Sequence, residues 1–328
     1  MLVVGPTDMT SYLPGCPSIS RMIGPAWKIA LPASSTGSFS SAAQKLYIAQ
    51  PSLSQFVKRI ETKIGAELFD RSASPITLTD AGEIYLETER QLHQLAKARQ
   101  QQIDDLGTLT RGRVVIGSSN YRSSYFLTQV LPIVRQRWPN IEIRLEEGTT
   151  AELEEAAQSG KTDFSIVLYP LTKSGLDSVE IFREEILLAL DSCHPLCQNL
   201  PPAAAGSRWP EPDWSRLTEE PFIIIRPGQK MRQSFFDLCQ QVHIAPPIIL
   251  ETQSMPTALR LTAVGVGATL TTDLLAHTMR FPGPAPRYFT LTRWLPHRRA
   301  LLTWRSGRYL SKAARAVIQV MQETGARI

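Results

Sequence analysis

Cysteine is scarce in this chain. Its four residues, Cys16, Cys193, Cys197 and Cys239, are too few to staple 328 residues, which excludes a disulfide-built secreted scaffold. Cys193-His194-Pro195-Leu196-Cys197 does set three metal-ligand types close together. No second ligand pair accompanies them, so no metal site is expected. Histidine is equally sparse, with five in all. No Ser/His/Asp or Cys/His arrangement has supporting context, and neither catalysis nor a cofactor is expected. Long apolar runs are missing too: nothing approaches the roughly 18 residues that a membrane-spanning helix needs. The first residues show no basic stretch followed by an apolar one, so no secretory leader is expected. A reducing cytoplasm is the expected compartment. Repeats of fixed period and low-complexity blocks are absent.

What is present is ordinary for a globular protein: 43% apolar and 20% charged residues. The length points to about two domains, each able to bury a core. A formal charge of +5 permits a nucleic-acid partner without requiring one.

Residues 1–36 are rich in Pro, Gly, Ser and Thr, and are expected to be poorly ordered. Their helix-like piece, around residues 22–31, is limited by Pro25 and Pro32. From Gly37 the pattern changes. Ala42, Ala43 and Leu46 give a short helix one apolar face, and Tyr47-Ile48-Ala49 makes a turn. A second helix opens at Gln50-Pro51, where proline is tolerated. Its buried stripe is expected to be Leu53, Val57, Ile60 and Ile64, with Ser52, Gln55 and Arg59 opposite. Gly65 ends it. Two short helices joined by a tight turn are the plan in which the second helix enters the major groove of DNA.

The loop 72–74 and the short alternating strand Pro75-Ile76-Thr77-Leu78-Thr79 suit a wing. Thr79 is placed to cap a long helix that runs to about Leu106, with Glu83 near its positive end. Tyr85, Thr88, Leu92, Leu95, Arg99 and Ile103 keep a 3–4 spacing, a coiled-coil-like seam for pairing with another helix. After Gly107 strands and helices alternate. Expected strands are 114–117, 141–145, 163–168, 222–225, 248–251 and 268–270, with helices between them and a last helix at about 311–323. That alternation implies parallel sheet with helical crossovers. Residues 200–213 read as a surface loop.

Residues 37–82 resemble the DNA-binding signature of LysR-type transcriptional regulators. The residues that carry the likeness are Gly37-Ser38-Phe39-Ser40, Ala42-Ala43, Leu46, Gln50-Pro51-Ser52-Leu53-Ser54, Ile60-Glu61, Gly65, Leu68-Phe69-Asp70-Arg71 and Leu78-Thr79-Asp80-Ala81-Gly82. Weaker landmarks follow at His194-Pro195-Leu196, Pro221-Phe222-Ile223, Glu251-Thr252 and Gly265-Val266-Gly267. The resemblance implies an α/β chain: an N-terminal winged helix-turn-helix, a long linker helix, and two α/β subdomains of periplasmic-binding-protein type. The implied organisation is an aberrant or poorly ordered segment 1–36, a DNA-binding domain 37–79, a linker and dimerisation helix 80–106, and an effector-binding domain 111–328. Subdomain I would hold about 111–168 and 270–328, and subdomain II about 169–269.

Two departures from the family pattern carry expectations. The family has an apolar helix directly before the Gly-Ser-Phe-Ser turn, whereas this match stops at about Thr36. An absent or degraded first helix is therefore expected, of the kind that a frameshift or misplaced start produces. Its loss would remove packing partners from Leu46, Leu53 and Phe69. The second departure is Ala49, which stands where the family often has Ser, so the second helix lacks a side-chain cap worth about 1 kcal/mol. The wing also lacks the extra arginine that many members carry.

For DNA, Gln50, Ser52 and Gln55 are the candidates for base edges, and Ser54, Lys58, Arg59 and Arg71 for phosphates. For the effector, a site is expected outside the C-terminal ends of strands, between the two subdomains. Its candidates are Ser118, Ser119, Arg122, Arg226, Gln253, Ser254 and Thr271, the last at the expected return crossover. The cations among them suit an anionic effector. Partners are double-stranded DNA, a small-molecule effector and a second copy of the chain, as homodimer or homotetramer. The alternative is a small-molecule-binding protein of the same lineage with an impaired DNA-binding domain.

Overall fold

The structure, a computed structural model, describes residues 38–73, 75–107, 112–198, 200 and 202–328. The segment 1–36, with its expected disorder and missing helix, lies outside the described residues, as do Gly37 and Ser74. The chain divides into two compact units, 1–103 and 104–328.

In the first unit, α1 (Phe39–Lys45) and α2 (Gln50–Ile64) form the helix pair. Ser38 caps α1 by accepting from the Ser41 N–H. Ala49 gives α2 no side-chain cap, as its methyl group requires. Leu53 and Val57 are buried, and Ile60 packs partly against the same core. Ile64 departs from the expected stripe: it is 44% exposed, and Glu61 is buried in its neighbourhood instead. The last turn of α2 runs past the small core, while the Glu61 carboxylate has partners inside. It accepts from the Leu68 N–H at 3.0 Å and from Arg71 at 2.6 Å. Phe39, Ala42, Ala43, Leu68, Phe69 and Leu86 complete this core.

The wing is a hairpin of β1 (Phe69–Asp70) and β2 (Thr77–Leu78), antiparallel, with Phe69 opposite Leu78. Asp70 ties its tip by accepting from the Ser72 N–H and hydroxyl. The long helix α3 (Asp80–Asp104) follows, with the Thr79 hydroxyl accepting from the Gly82 N–H at 3.0 Å. Gly82 is required there. A Cβ at that position would stand 2.0 Å from the Leu68 carbonyl oxygen, so the helix reaches the strand only where no side chain intervenes. Of the expected seam, Tyr85 is half-buried against the first core. Leu92, Leu95 and Ile103 are exposed.

The second unit holds two sheets. The first, in order β4-β3-β5-β12-β6, is built from β3 (Gly112–Ser118), β4 (Ile141–Glu147), β5 (Phe164–Leu168), β6 (Leu176–Glu184) and β12 (Arg298–Arg305). β3 is parallel to β4 and β5, and β12 is antiparallel to β5 and β6. A short helix α4 (Asn120–Arg122), a π turn and α5 (Thr128–Arg137) connect β3 to β4, and α6 (Thr150–Gln158) connects β4 to β5. The C-terminal helix α10 (Lys312–Gly325) packs on the same sheet through Ala313, Val317 and Met321.

The second sheet has β7 (Ile186–Leu190) between β10 (Thr269–Thr272) and β11 (Arg287–Thr290), all antiparallel. β8 (Phe222–Ile225) and β9 (Ile248–Thr252) are a parallel pair joined to β10 by the bridge Phe222 to Ala268. Helices α7 (Lys230–Val242), α8 (Met255–Ala263) and α9 (Asp273–Thr278) follow β8, β9 and β10.

The chain passes from one sheet to the other at Glu185 and returns between β11 and β12. This differs from the expected subdomain limits. β6 stays with the first sheet, while β10 and β11 belong to the second. The reason is that β6 and β7 adjoin with one residue between them, so no loop marks the crossing; their hydrogen-bonded partners assign them to different sheets. Sequence reading did not place β6, β7, β11 or β12.

Candidate DNA-reading helix and effector cleft

On α2 the buried face of Leu53, Val57 and Glu61 leaves Gln50, Ser52, Gln55, Lys58 and Arg59 exposed, and Ser54 half-exposed. The 3.6-residue period makes this a consequence of the core: residues one or two places from a buried position face solvent. Gln50 donates to the Ser54 hydroxyl at 3.0 Å, which orients both side chains at the helix start. Arg59 lies over the Phe56 ring. Arg71 is exposed at one edge but held by Glu61 and set over the Phe39 ring. It is thus a fixed cation rather than a loose one.

In the second unit, the expected effector residues fall at two strand ends of each sheet. On the first sheet, Ser118 ends β3, is fully buried, and donates to the Ser119 carbonyl at 3.2 Å. Ser119 caps α4, accepting from the Arg122 N–H. The end of β4 lies alongside, through a bond from the Gly148 N–H to the Ser118 carbonyl. On the second sheet, the Arg226 N–H donates to the Thr252 carbonyl, and Gln229 donates to the Gln253 carbonyl at 3.0 Å. The Arg226 side chain is exposed. Ser254 caps α8, accepting from the Thr257 N–H and hydroxyl.

The two sets face each other. A Cβ on Gly228 would lie 3.9 Å from Thr149 Cγ2. Lys230 Nζ crosses to the carbonyls of Leu168 at 2.6 Å and Pro170 at 2.8 Å. These contacts bring the loop that carries Arg226 toward the ends of β4 and β5, and Gln229 ties that loop to Gln253.

Two expected residues stand elsewhere. Thr271 is inside β10, opposite Leu187 and buried in the second sheet, so it is a strand residue and not part of the return segment between β11 and β12. Arg122 is turned inward beneath the cleft. It pairs with Glu184 at 2.7 Å, and Arg298 meets the same carboxylate oxygen at 2.7 Å. Glu184 has no exposed surface, so this triad is a buried polar knot where the chain crosses between sheets. Tyr121 adds to it. Its hydroxyl shares a hydrogen bond with Thr272 at 2.5 Å, and burial followed by the Glu184 charge pushes it well above the usual tyrosine range.

Sequence reading missed Thr149, Lys230, Glu184 and Arg298. Thr149 had a usable signal, since Thr149 and Glu152 form a reciprocal capping box at the start of α6. The other three had none, because their roles depend on partners far away in the chain. The Cys-His cluster is occupied locally: His194 bonds Glu220 at 3.0 Å and Cys197 donates to the Asp191 carbonyl.

Comparison with known proteins gives two family matches. The model described as LysR substrate binding domain covers residues 107–326, and that described as bacterial regulatory helix-turn-helix protein, lysR family, covers 27–83. The second match begins ahead of Gly37. It corrects the expectation that the likeness stops at about Thr36. The chain is 26% identical over 310 residues to the uncharacterized HTH-type transcriptional regulator YcgK of Bacillus subtilis, covering 88% of this chain and 90% of that one. Among solved structures, full-length CbnR complexed with its target DNA aligns over 92% of this chain and 98% of its own, at 19% identity and a TM-score of 0.57. The CcmR regulatory domain of Synechocystis, in complex with 2-PG, aligns over 66% of this chain and 99% of its own, at 17% identity and a TM-score of 0.57. At these identities the two structures speak for the fold.

Proposed function

The chain belongs to the LysR family of transcriptional regulators, and from that premise we propose how its parts divide the work. It is a ligand-responsive, DNA-binding regulator whose first unit reads DNA and whose second senses a small molecule. One observation carries the DNA half: α2 buries Leu53 and Val57 and leaves a continuous polar face on the helix that follows the turn. Gln50, Ser52 and Gln55 read base edges; Ser54, Lys58, Arg59 and Arg71 hold phosphates. CbnR, solved with its target DNA, is the precedent for a chain of this fold.

The effector enters the cleft lined by Ser118, Ser119, Thr149, Arg226, Gln253 and Ser254. The CcmR regulatory domain, solved with 2-PG, supports a small-molecule occupant. Exposed Leu92, Leu95 and Ile103 on α3 pair with a second copy, which sets two α2 helices on successive half-sites. No helix among the described residues is long and apolar enough to cross a membrane. The proposed output is regulation, and no step of it requires catalysis.

A gel-shift with the DNA upstream of the chain's own gene tests the reading. Retarded bands that survive non-specific competitor at moderate salt are expected. Binding no tighter than to random DNA would refute it.

A further inference from the structure

The two sheets of the second unit are tied at two places. One is where the chain crosses. There the Tyr121 and Thr272 hydroxyls meet, and the Asp273 N–H donates to the Glu185 carbonyl at 3.1 Å. The crossing chain itself keeps these groups close. The other tie has no such help. Lys230, the first residue of α7, donates to the Leu168 carbonyl at 2.6 Å, at the end of β5, and to the Pro170 carbonyl at 2.8 Å just beyond it. Donor and acceptors stand 62 and 60 positions apart in the chain.

The segment that receives the amine is fastened to α6. Glu154, with no exposed surface, accepts through one carboxylate oxygen from the Thr172 N–H at 2.8 Å, the Thr172 hydroxyl at 2.6 Å and the Lys173 N–H at 3.0 Å. Lys173 pairs with Glu155 at 2.6 Å, and Gln158 donates to the Ser174 carbonyl at 2.8 Å. The other Glu154 oxygen, Oε1, has no hydrogen-bond partner among the described residues. A buried carboxylate oxygen left in that condition is costly unless a positive charge stands near. The Lys230 ammonium is such a charge, and the two act on each other through space. Burial holds the Lys230 amine below the usual lysine value; Glu154 opposes this, while Arg122 and Arg298 add to it.

We propose that Lys230 and Glu154 form a latch that fastens α7 to the first sheet, with the bolt on α7 and the catch on α6. The carboxylate does two things. One oxygen holds the segment that follows the two carbonyls, and the other balances the charge of the amine that engages them. Withdrawing the bolt breaks two hydrogen bonds from a charged donor and takes the nearby cation from a buried carboxylate, so bolt and catch release together. This goes beyond the sensing role proposed above. It concerns how the second unit holds itself together, and it is tested with no effector in hand.

The test is amide hydrogen exchange of the full chain, read peptide by peptide. Lys230→Met should speed exchange about tenfold or more over residues 169–174 and 226–233, where bolt and catch meet, and leave β3 and β10 unchanged. Lys230→Arg can still donate to both carbonyls and should stay close to wild type. Glu154→Gln keeps an acceptor for the Thr172 and Lys173 N–H groups but loses the charge. It should speed exchange over 226–233, and the double variant should exchange there no faster than Lys230→Met alone. Unchanged exchange over 226–233 in Lys230→Met overturns the proposal. So does a rise of equal size in β3 and β10, which would make Lys230 a general packing residue. Single effects that multiply in the double variant overturn the pairing with Glu154. If Glu154→Gln fails to fold, the lysine variants decide: equal exchange in Lys230→Met and Lys230→Arg refutes the latch.

Discussion

Replacing Glu61 tests whether a buried carboxylate, rather than an apolar side chain, closes the base of α2. Glu61 is 7% exposed and accepts from the Leu68 N–H at 3.0 Å and from Arg71 at 2.6 Å. Glu61→Ala removes both bonds and leaves the Leu68 N–H unsatisfied in a buried place, which costs about 1–3 kcal/mol. The Arg71 side chain is 45% exposed, so its pairing is screened and adds only about 0.5–1 kcal/mol. A loss of about 2–4 kcal/mol is therefore expected. Glu61→Gln keeps a carbonyl for the Leu68 N–H and gives up only charge, for an expected loss of about 1 kcal/mol. Arg71→Ala should lose less than Glu61→Ala, and the double variant should lose less than the two single losses added, because they share one bond. The assay is urea unfolding of the full chain, followed by the transition of the first unit. A loss below about 0.5 kcal/mol in Glu61→Ala, or Glu61→Gln as damaging as Glu61→Ala, would refute the argument.

Other consequences can be measured in parallel. Gln55→Ala should weaken DNA binding by about 1–3 kcal/mol at cognate sequence and little at random sequence, whereas Lys58→Ala should weaken both alike and lower the salt slope by about 0.9; competition gel-shifts at several salt concentrations distinguish the two. Leu95, 67% exposed on α3, is placed to meet a second copy, so Leu95→Glu should shift the sedimentation profile toward monomer without changing secondary structure by circular dichroism. Burial raises the Asp273 carboxyl above its ordinary value of 3.8, with Glu184 and Glu185 adding to it. A raised acid binds more protons when folded, so its contribution is present below that value and is lost as pH rises through the folded one. Asp273→Asn should therefore lose less stability than wild type across that window, measured by denaturant unfolding from pH 3.5 upward.

The legibility of the molecule follows the range of its interactions. The helix pair, the uncapped Ala49 and the Thr79 cap were readable because each depends on neighbours within a few residues. The polar face of α2 was readable for the same reason. Ile64 departs from its expected place because periodicity says which residues share a face but not where the core stops, and the burial of Glu61 had no local signal because its partners lie at Leu68 and Arg71. In the second unit, Ser119 and Ser254 could be placed at strand ends, yet their capping roles appear only with the helices they cap.

The sequence by itself determined the lineage, the two-part plan and the helix pair, since these rest on local spacing and on many family positions between Gly37 and Gly82. Only the tertiary structure decided the rest. Strand pairing placed Thr271 inside the second sheet and moved the crossings to Glu185 and to the segment between β11 and β12. It buried Arg122 against a glutamate 62 positions away. It also carried Lys230 across the cleft to carbonyls 60 and 62 positions distant. A side chain's chemistry is written in the sequence, but its charge acquires a role only from the groups that folding brings within a few ångströms.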